Sequence, residues 1–218
     1  SLTAYLASII VKIFKRKKIF MIVRNYPNVH YKNNLLMQIT KNIVNLFIDQ
    51  VITVSNSLLS SMIKNSGIKS HKLIRIYNGI SVNDKFDKQS NVDIIENSVG
   101  IIGNLEERKG HLTLFKAWKE VIKEIPNSKL YVITSFSSGD KKSLEENLKE
   151  LKILNYVEFI PYQKNIENIY RDLKIIVMPS NSHESFGRIA VESMAFSKPI
   201  IASKIGGLKE IITHEYDG

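Results

Sequence analysis

The chain has 218 residues, 31 Lys and Arg against 21 Asp and Glu for a net charge of +10, 44% hydrophobic residues and no cysteine. These numbers exclude a disulfide framework, a thiolate metal site and a cysteine nucleophile, and point to a reducing compartment. The apolar content is enough for a packed core and argues against a disordered polymer, while the surplus of cations points to an anionic partner: a nucleotide, a nucleic acid or an acidic membrane surface.

Leu2, Leu6, Ile9, Ile10 and Ile13 recur at helical spacing, with Ser8, Lys12, Lys15 and Arg16 on the opposite side. This reads as a surface helix with a basic last turn, a pattern that also suits an anionic membrane surface. The apolar run Ala4 to Phe14 is shorter than the roughly 20 residues a bilayer span needs. Its cations, Lys15 to Lys18, follow it rather than precede it, so no export signal is visible. A buried strand is expected at Ile19–Val23, then a loop at Asn25–Asn28 and a helix at Leu35–Phe47. A strand at Val51–Val54 leads to Ser55, a plausible cap for a helix over Leu58–Ile63. Leu73–Ile76 is a further strand, running into the turn dipeptide Asn78-Gly79.

The polar stretch that follows reads as a linker, residues 84–98. It separates a first Rossmann-like domain, 1–83, from a second, 99–218. In the second, strands are expected at Val99–Ile102, Lys129–Ile133, Val157–Ile160, Ile175–Met178 and Pro199–Ala202. Helices alternate with them at Leu112–Ile122, Leu144–Leu151, Ile166–Leu173, Ile189–Phe196 and from Leu208 onward. Short apolar strands alternating with helices predict an α/β protein with two doubly wound parallel sheets. The first keeps only about three strands against the roughly five or six of such a sheet, and the second stops at Gly218, so both read as incomplete and the chain as an internal segment of a longer enzyme or a truncated product.

Ligands of such sheets bind beyond the carboxyl ends of the strands, where loops meet helix N-termini. Three loops qualify. The first, Gly103-Asn104-Leu105-Glu106-Glu107-Arg108-Lys109-Gly110, places an ammonium group at a helix start, which suits a bound anion but serves equally as an ordinary turn. The second, His183 to Glu192, offers Ser185 as N-cap, so that the amides of Phe186, Gly187 and Arg188 would face a diphosphate. Glu184 then lies just outside the helix, and Glu192 is expected about 10 Å from the cap, near the separation between the two ends of a sugar–diphosphate–ribose. Taken alone, these carboxylates read as a capping group and a solvated helix residue. The third loop, Lys204-Ile205-Gly206-Gly207, permits close backbone approach or is a tight turn.

Together, Gly103 with Lys109-Gly110, the segment Glu184-Ser185-Phe186-Gly187 through Glu192-Ser193-Met194-Ala195, and Lys198-Pro199 through Gly206-Gly207 resemble the GT-B retaining glycosyltransferases called group 1 or family 4. Val51-Ile52-Thr53-Val54-Ser55 and Ile76-Tyr77-Asn78-Gly79-Ile80 agree, so the resemblance covers nearly the whole chain. It implies transfer of a sugar, with retention, from a UDP-, GDP- or ADP-linked donor to a glycan or lipid-linked acceptor, in cell-surface polysaccharide or glycolipid synthesis. It implies that Lys109 contacts the donor diphosphate, Glu184 acts at the reacting sugar and Glu192 binds the ribose. Gly103, Asn104, Arg108, Ser185, Phe186, Gly187, Arg188, Gly206 and Gly207 complete the implied donor site. A nucleoside diphosphate leaves without a protein acid, so the two glutamates are not read as a glycosidase pair. No Asp-x-Asp motif is present, and neither metal nor cofactor is expected.

The pattern departs from the family at Asn104, where the family has an arginine; Arg108 and Arg188 are the candidates to replace it. Ser185 stands for a frequent glycine, and no catalytic histidine is assigned, since neither Arg24 nor Asn25 is one. The implied location is cytoplasmic, at the inner face of the membrane. Three alternatives remain: a non-catalytic nucleotide- or sugar-binding remnant, another GT-B enzyme such as a sugar epimerase or phosphorylase, and a nucleic-acid binder. The last is disfavoured because the charge is spread over many helices and aromatic residues do not interleave with a basic stripe.

Overall fold

The computed structural model describes residues 2–15, 17–26, 35–80, 94–135, 138–162 and 166–218. Part of the expected loop at Asn25–Asn28 and residues 84–93 of the expected linker lie outside them. The chain divides into two compact units: Ser1–Gly79 with Glu184–Phe186, and Ile80–His183 with Gly187–Gly218.

The first unit carries helices α1 (Leu2–Lys15), α2 (Leu35–Phe47) and α3 (Asn56–Asn65) and strands β1 (Phe20–Val23), β2 (Gln50–Thr53) and β3 (Leu73–Arg75). The strands form a parallel sheet in the order β1-β2-β3. Val44, Ile48, Val51, Val54, Leu58, Met62 and Leu73 are buried at its centre. Ser55 caps α3 as expected: its side chain accepts the Leu58 N–H at 3.0 Å. At the C-terminal end of α2, Lys72 Nζ donates to the carbonyls of Asn45 (2.8 Å) and Ile48 (2.6 Å), satisfying acceptors that a helix leaves open.

Lys12, on the polar side of α1, is half-buried and paired: its Nζ donates to both carboxylate oxygens of Asp49, at 2.5 and 2.7 Å, while Ile10, Ile13 and Phe14 are not buried but exposed. Asp49 also accepts the Ile19 N–H at 2.7 Å, so one carboxylate joins α1 to the start of β1. The Lys12 hydrogen bond, then that from Ile19, holds the Asp49 carboxyl below its usual range. Strand β1 is not the buried strand expected, for Phe20 and Ile22 are 54% and 55% exposed. As an edge strand it has β2 on one side, and one face is open among the described residues.

The second unit has five parallel strands: β4 (Ser98–Ile102), β5 (Lys129–Thr134), β6 (Val157–Pro161), β7 (Ile175–Met178) and β8 (Ile200–Ala202). Ser98, assigned to the linker from sequence, is instead the buried first residue of β4, its Oγ donating to the Ile95 carbonyl. The interleaved helices are α4 (His111–Glu124), α5 (Ser138–Glu150), α6 (Glu167–Asp172), α7 (Arg188–Ala195) and α8 (Leu208–Ile211). Helix α5 begins six residues before the expected Leu144, because its first turns carry no apolar residue to reveal the periodicity.

Both faces of the sheet are covered. Ile101, Leu130, Val132 and Val177 pack with Leu114, Phe115 and Trp118 of α4 and Leu144 and Leu148 of α5. Ile102, Tyr131, Ile133 and Ile176 pack with Ile169, Tyr170 and Leu173 in and beside α6. That alternation along β5 is the two-residue period of a strand buried on both sides. The strand order is β6-β5-β4-β7-β8. Successive strands step outward from β4 in one direction and then, from β7, in the other. The reversal leaves a crevice between the carboxyl ends of β4 and β7.

Candidate functional site

The two loops that flank this reversal are the ones that carry Lys109 and Asn181. After β4 the chain turns through Gly103, at φ 147°, into a single 3₁₀ turn, Glu107–Lys109, and then Gly110. Gly110 is left-handed (φ 75°) and ends the 3₁₀ turn while starting α4. A Cβ on Gly110 would lie 1.9 Å from the Pro179 carbonyl oxygen, so the loop after β7 packs directly on its backbone and only glycine fits. Asn181 secures the contact: its N–H donates to the Arg108 carbonyl at 2.9 Å and its Nδ2 to the Glu107 carbonyl at 3.3 Å. Thr113 of α4 donates to Asn181 Oδ1 at 3.1 Å. Lys109 is thus held at the switch point by the backbone on both sides of it. Neither Asn181 nor Thr113 was singled out from sequence, since an asparagine in a polar loop carries no motif.

Arg108 is engaged in an ion pair within its own loop. Its Nε donates to Glu106 at 2.5 Å, and this bond is the main reason the Glu106 carboxyl sits below its usual range. Arg188 is likewise engaged, donating through Nε to Glu192 Oε1 at 2.5 Å. Each bond uses Nε alone of the five guanidinium N–H donors, so Arg108 and Arg188 both keep donors that an anion could use in place of the family arginine absent at Asn104.

Helix α7 begins at Arg188, one residue before the expected Ile189, but not from the expected cap. Its N-cap is Gly187, left-handed at φ 102°, with no side-chain cap, and Ser185 does not cap it. The reason is tertiary: a Cβ on Gly187 would meet Leu208 Cδ2 at 2.5 Å, so the bend forms where α8 crosses. The first intrahelical bonds run from Ala190 (3.0 Å) and Val191 (3.3 Å) to the Gly187 carbonyl. Within the helix, the amides of Arg188 and Ile189 are left open. Glu192 lies five residues past the true cap, about 7.5 Å along the axis, rather than about 10 Å.

The Glu192 carboxylate is fixed from two sides. Tyr170, fully buried on α6, donates its hydroxyl to Oε2 at 2.8 Å, and Arg188 holds Oε1. Burial, and then the negative charge of Glu192, push the Tyr170 phenol far above its ordinary value, so it remains a donor. Tyr170 looks like a core residue from its helical spacing; only the fold reveals its polar end. Glu192 side-chain exposure is 17%, against 77% for Arg188, so the pair lies at a surface with the carboxylate beneath.

Gly206 is left-handed at φ 50° and Gly207 is the N-cap of α8, which places both in the loop after β8. Glu184, Ser185 and Phe186 group with the first unit, where Glu184 and Phe186 are buried, at 8% and 6% exposure, and Ser185 is half-buried. Within the second unit Gly103, Asn104, Arg108 and Lys109 lie in the loop after β4, Gly187, Arg188 and Glu192 in the loop and helix after β7, and Gly206 and Gly207 in the loop after β8. Among the described residues no three His, Asp or Glu side chains cluster as a metal site, and no helix is long and apolar enough to cross a membrane.

Residues 82–218 match the family model for glycosyl transferases group 1. The chain belongs to this family. This group 1 glycosyl transferase chain is 32% identical over 183 residues to an uncharacterized glycosyltransferase of Methanocaldococcus jannaschii, covering 78% of this chain and 46% of the relative. It is 32% identical over 127 residues to a D-inositol 3-phosphate glycosyltransferase of Corynebacterium urealyticum, covering 55% and 30% of the two chains. The chain spans about half the length of the curated relatives it matches across most of its own length. Among solved structures it resembles Anabaena HepE in complex with UDP and glucose, with a TM-score of 0.82 at 22% identity over 100% of this chain and 61% of that one. Staphylococcus aureus TarM, solved with UDP among its ligands, follows at 0.74 and 17% identity, covering 92% and 40%. Such likeness establishes the fold: α/β with parallel sheets, shared with GT-B glycosyltransferases.

Proposed function

We propose that this chain forms the donor-binding part of a retaining glycosyltransferase of family 4, which takes a nucleotide-sugar as substrate. The observation that carries the reading is the position of Lys109: at the switch point of a doubly wound sheet, locked there by Gly110, Pro179 and Asn181. An ammonium group and the open amides of α7 together suit a diphosphate, whose departing charge is the main quantity such an enzyme has to stabilise. No metal is needed for that role. Glu192, pre-oriented by Tyr170 and Arg188, accepts hydrogen bonds from ribose hydroxyls, and Glu184 acts at the transferred sugar. Family membership supports sugar transfer, and the UDP and UDP-glucose complexes of Anabaena HepE support a nucleotide-sugar donor. The acceptor is a glycan or a lipid-linked saccharide, and the product belongs to cell-surface polysaccharide or glycolipid. The exposed Ile10, Ile13 and Phe14 beside Lys15, Lys17 and Lys18 suit a location at the anionic inner face of the membrane.

Calorimetric titration of the chain with UDP, GDP and ADP tests the donor site. One of the three is expected to bind, and Lys109→Ala is expected to weaken it about tenfold, the value of one charge-assisted hydrogen bond. Absence of binding to all three would refute the reading. In a transfer-competent enzyme carrying this chain, Glu184→Ala is expected to abolish transfer; undiminished transfer with both glutamates replaced would reject their roles. Binding that is never accompanied by transfer identifies the non-catalytic remnant instead.

A further inference from the structure

The net charge of +10, read from sequence as spread over many helices, is concentrated in one unit. The first unit carries twelve Lys and Arg against two carboxylates, Asp49 and Glu184, whereas the second carries nineteen against nineteen. The whole surplus therefore belongs to the first unit. Its two carboxylates do little to offset the charge at the surface, since Asp49 is taken up by Lys12 and Glu184 is buried. Such asymmetry marks the half of a chain that meets an anionic partner.

The same unit leaves an apolar stripe uncovered. Ile10, Ile13 and Phe14, three and four residues apart, lie on one side of α1 and are 58%, 56% and 76% exposed. The tie from Lys12 to Asp49 fixes the helix in that orientation. Lys15 closes α1, Lys17 and Lys18 follow it, all three exposed, and β1 then presents Phe20 and Ile22. Apolar side chains bordered by lysines on a helix too short to cross a membrane suit the boundary between acyl chains and anionic headgroups. A nucleic acid would satisfy the cations and leave the stripe in water. A second copy would cover the stripe but set one surplus of ten charges against another. An uncharged polypeptide would leave the cations without counter-charge. We propose that the first unit docks on an anionic lipid bilayer, with Ile10, Ile13 and Phe14 among the acyl chains and Lys15, Lys17 and Lys18 at the headgroup phosphates. This rests on the membrane location given above and deepens it, by naming the surface that makes the contact and by leaving the second unit out of it.

Phe14→Trp places a fluorescent reporter on the stripe, while the native Trp118 is buried in α4 and supplies a constant background. Vesicles of phosphatidylglycerol are expected to shift the emission of Phe14→Trp to the blue saturably, and vesicles of phosphatidylcholine to leave it unchanged. Lys15→Gln, Lys17→Gln and Lys18→Gln together, in the reporter protein, are expected to weaken this partitioning about a hundredfold. Lys116→Gln with Lys119→Gln, both exposed on α4 of the second unit, is expected to change it less than about twofold. The proposal is overturned if phosphatidylglycerol produces no shift, which leaves the stripe to a polypeptide partner, or if phosphatidylcholine produces an equal one. A shift that grows with protein concentration alone points to a second copy, one produced by single-stranded DNA and not by vesicles points to nucleic acid, and either rejects it. An equal loss from the α4 pair rejects the assignment to the first unit. Nucleotide titration of the same samples is a separate readout: vesicle binding without nucleotide binding rejects the donor site alone, and the reverse rejects this surface alone.

Discussion

The α-carbon of Gly110 and the carbonyl of Pro179 are in contact across the gap between β4 and β7, with no room for a methyl group between them. The contact joins the two loops at which the strand order reverses, and it sets where Lys109 stands. Gly110→Ala therefore forces the loops apart and adds the strain of a left-handed non-glycine residue. Its expected cost is about 2 kcal/mol or more in denaturant unfolding, with nucleotide affinity falling in parallel with that of Lys109→Ala. Retained affinity in Gly110→Ala would show that the loop contact does not position the lysine.

Tyr170 orients Glu192 from the core, and Arg188 does so from the surface. Tyr170→Phe is expected to destabilise the fold by about 1 kcal/mol and to weaken nucleotide binding about fivefold, since one carboxylate oxygen loses its only buried donor among the described residues. Arg188→Ala, which changes an exposed ion pair, is expected to leave unfolding nearly unaltered. A thermal melt and a nucleotide titration on both variants separate the two effects.

His111 supplies a pH dependence of known sign. Burial, and then the nearby positive charge of Lys109, lower its pKa from 6.5 to about 4. The folded state thus binds fewer protons than the unfolded state between those values, so stability is complete above about pH 6.5 and falls as the pH drops toward 4. The shift corresponds to about 3 kcal/mol over that window. Unfolding curves across it are expected to slope accordingly, and His111→Leu is expected to flatten them while leaving stability at pH 7 equal or higher.

Asp49 acts in a more acidic range and in the other unit. Its carboxyl is held low by Lys12, so the stability it supplies is present above its unfolded pKa, near 3.8, and is lost as the pH falls through the lower folded value. Asp49→Ala removes the tie between α1 and β1 and is expected to cost about 1 to 2 kcal/mol, with protease cleavage in α1 accelerated first. Equal cleavage rates in variant and parent would show that α1 is held by its apolar contacts instead.

Much of this molecule is legible along the chain. The expected span Leu35–Phe47 coincides with α2, and Ile175–Met178 with β7. Amphipathic periodicity and short apolar runs are local signals, and each element follows directly on a polar residue, Asn34 or Lys174. The loops at Gly103–Gly110 and Gly206–Gly207 announce themselves through glycine next to charge at strand ends. Other features belong to the packing. Ser185 has the chemistry of a helix cap, yet the helix starts at Arg188 because Leu208 crowds Gly187. Lys12 lies on the polar side of its own helix and still turns inward, because Asp49, 37 residues away, offers a carboxylate there. A sequence window contains neither partner.

From the order of residues alone come the α/β alternation, the parallel strands, and the cation and carboxylates carried on the loops and helices that follow the strands. The fold decides the strand order that makes β4 and β7 neighbours, the buried hydroxyl of Tyr170 that aims Glu192, and the burial of the His111 imidazole at the start of α4. Local propensity reflects interactions within a few residues. Register, orientation and burial are settled by contacts between segments far apart in the chain, and only the assembled sheet supplies those.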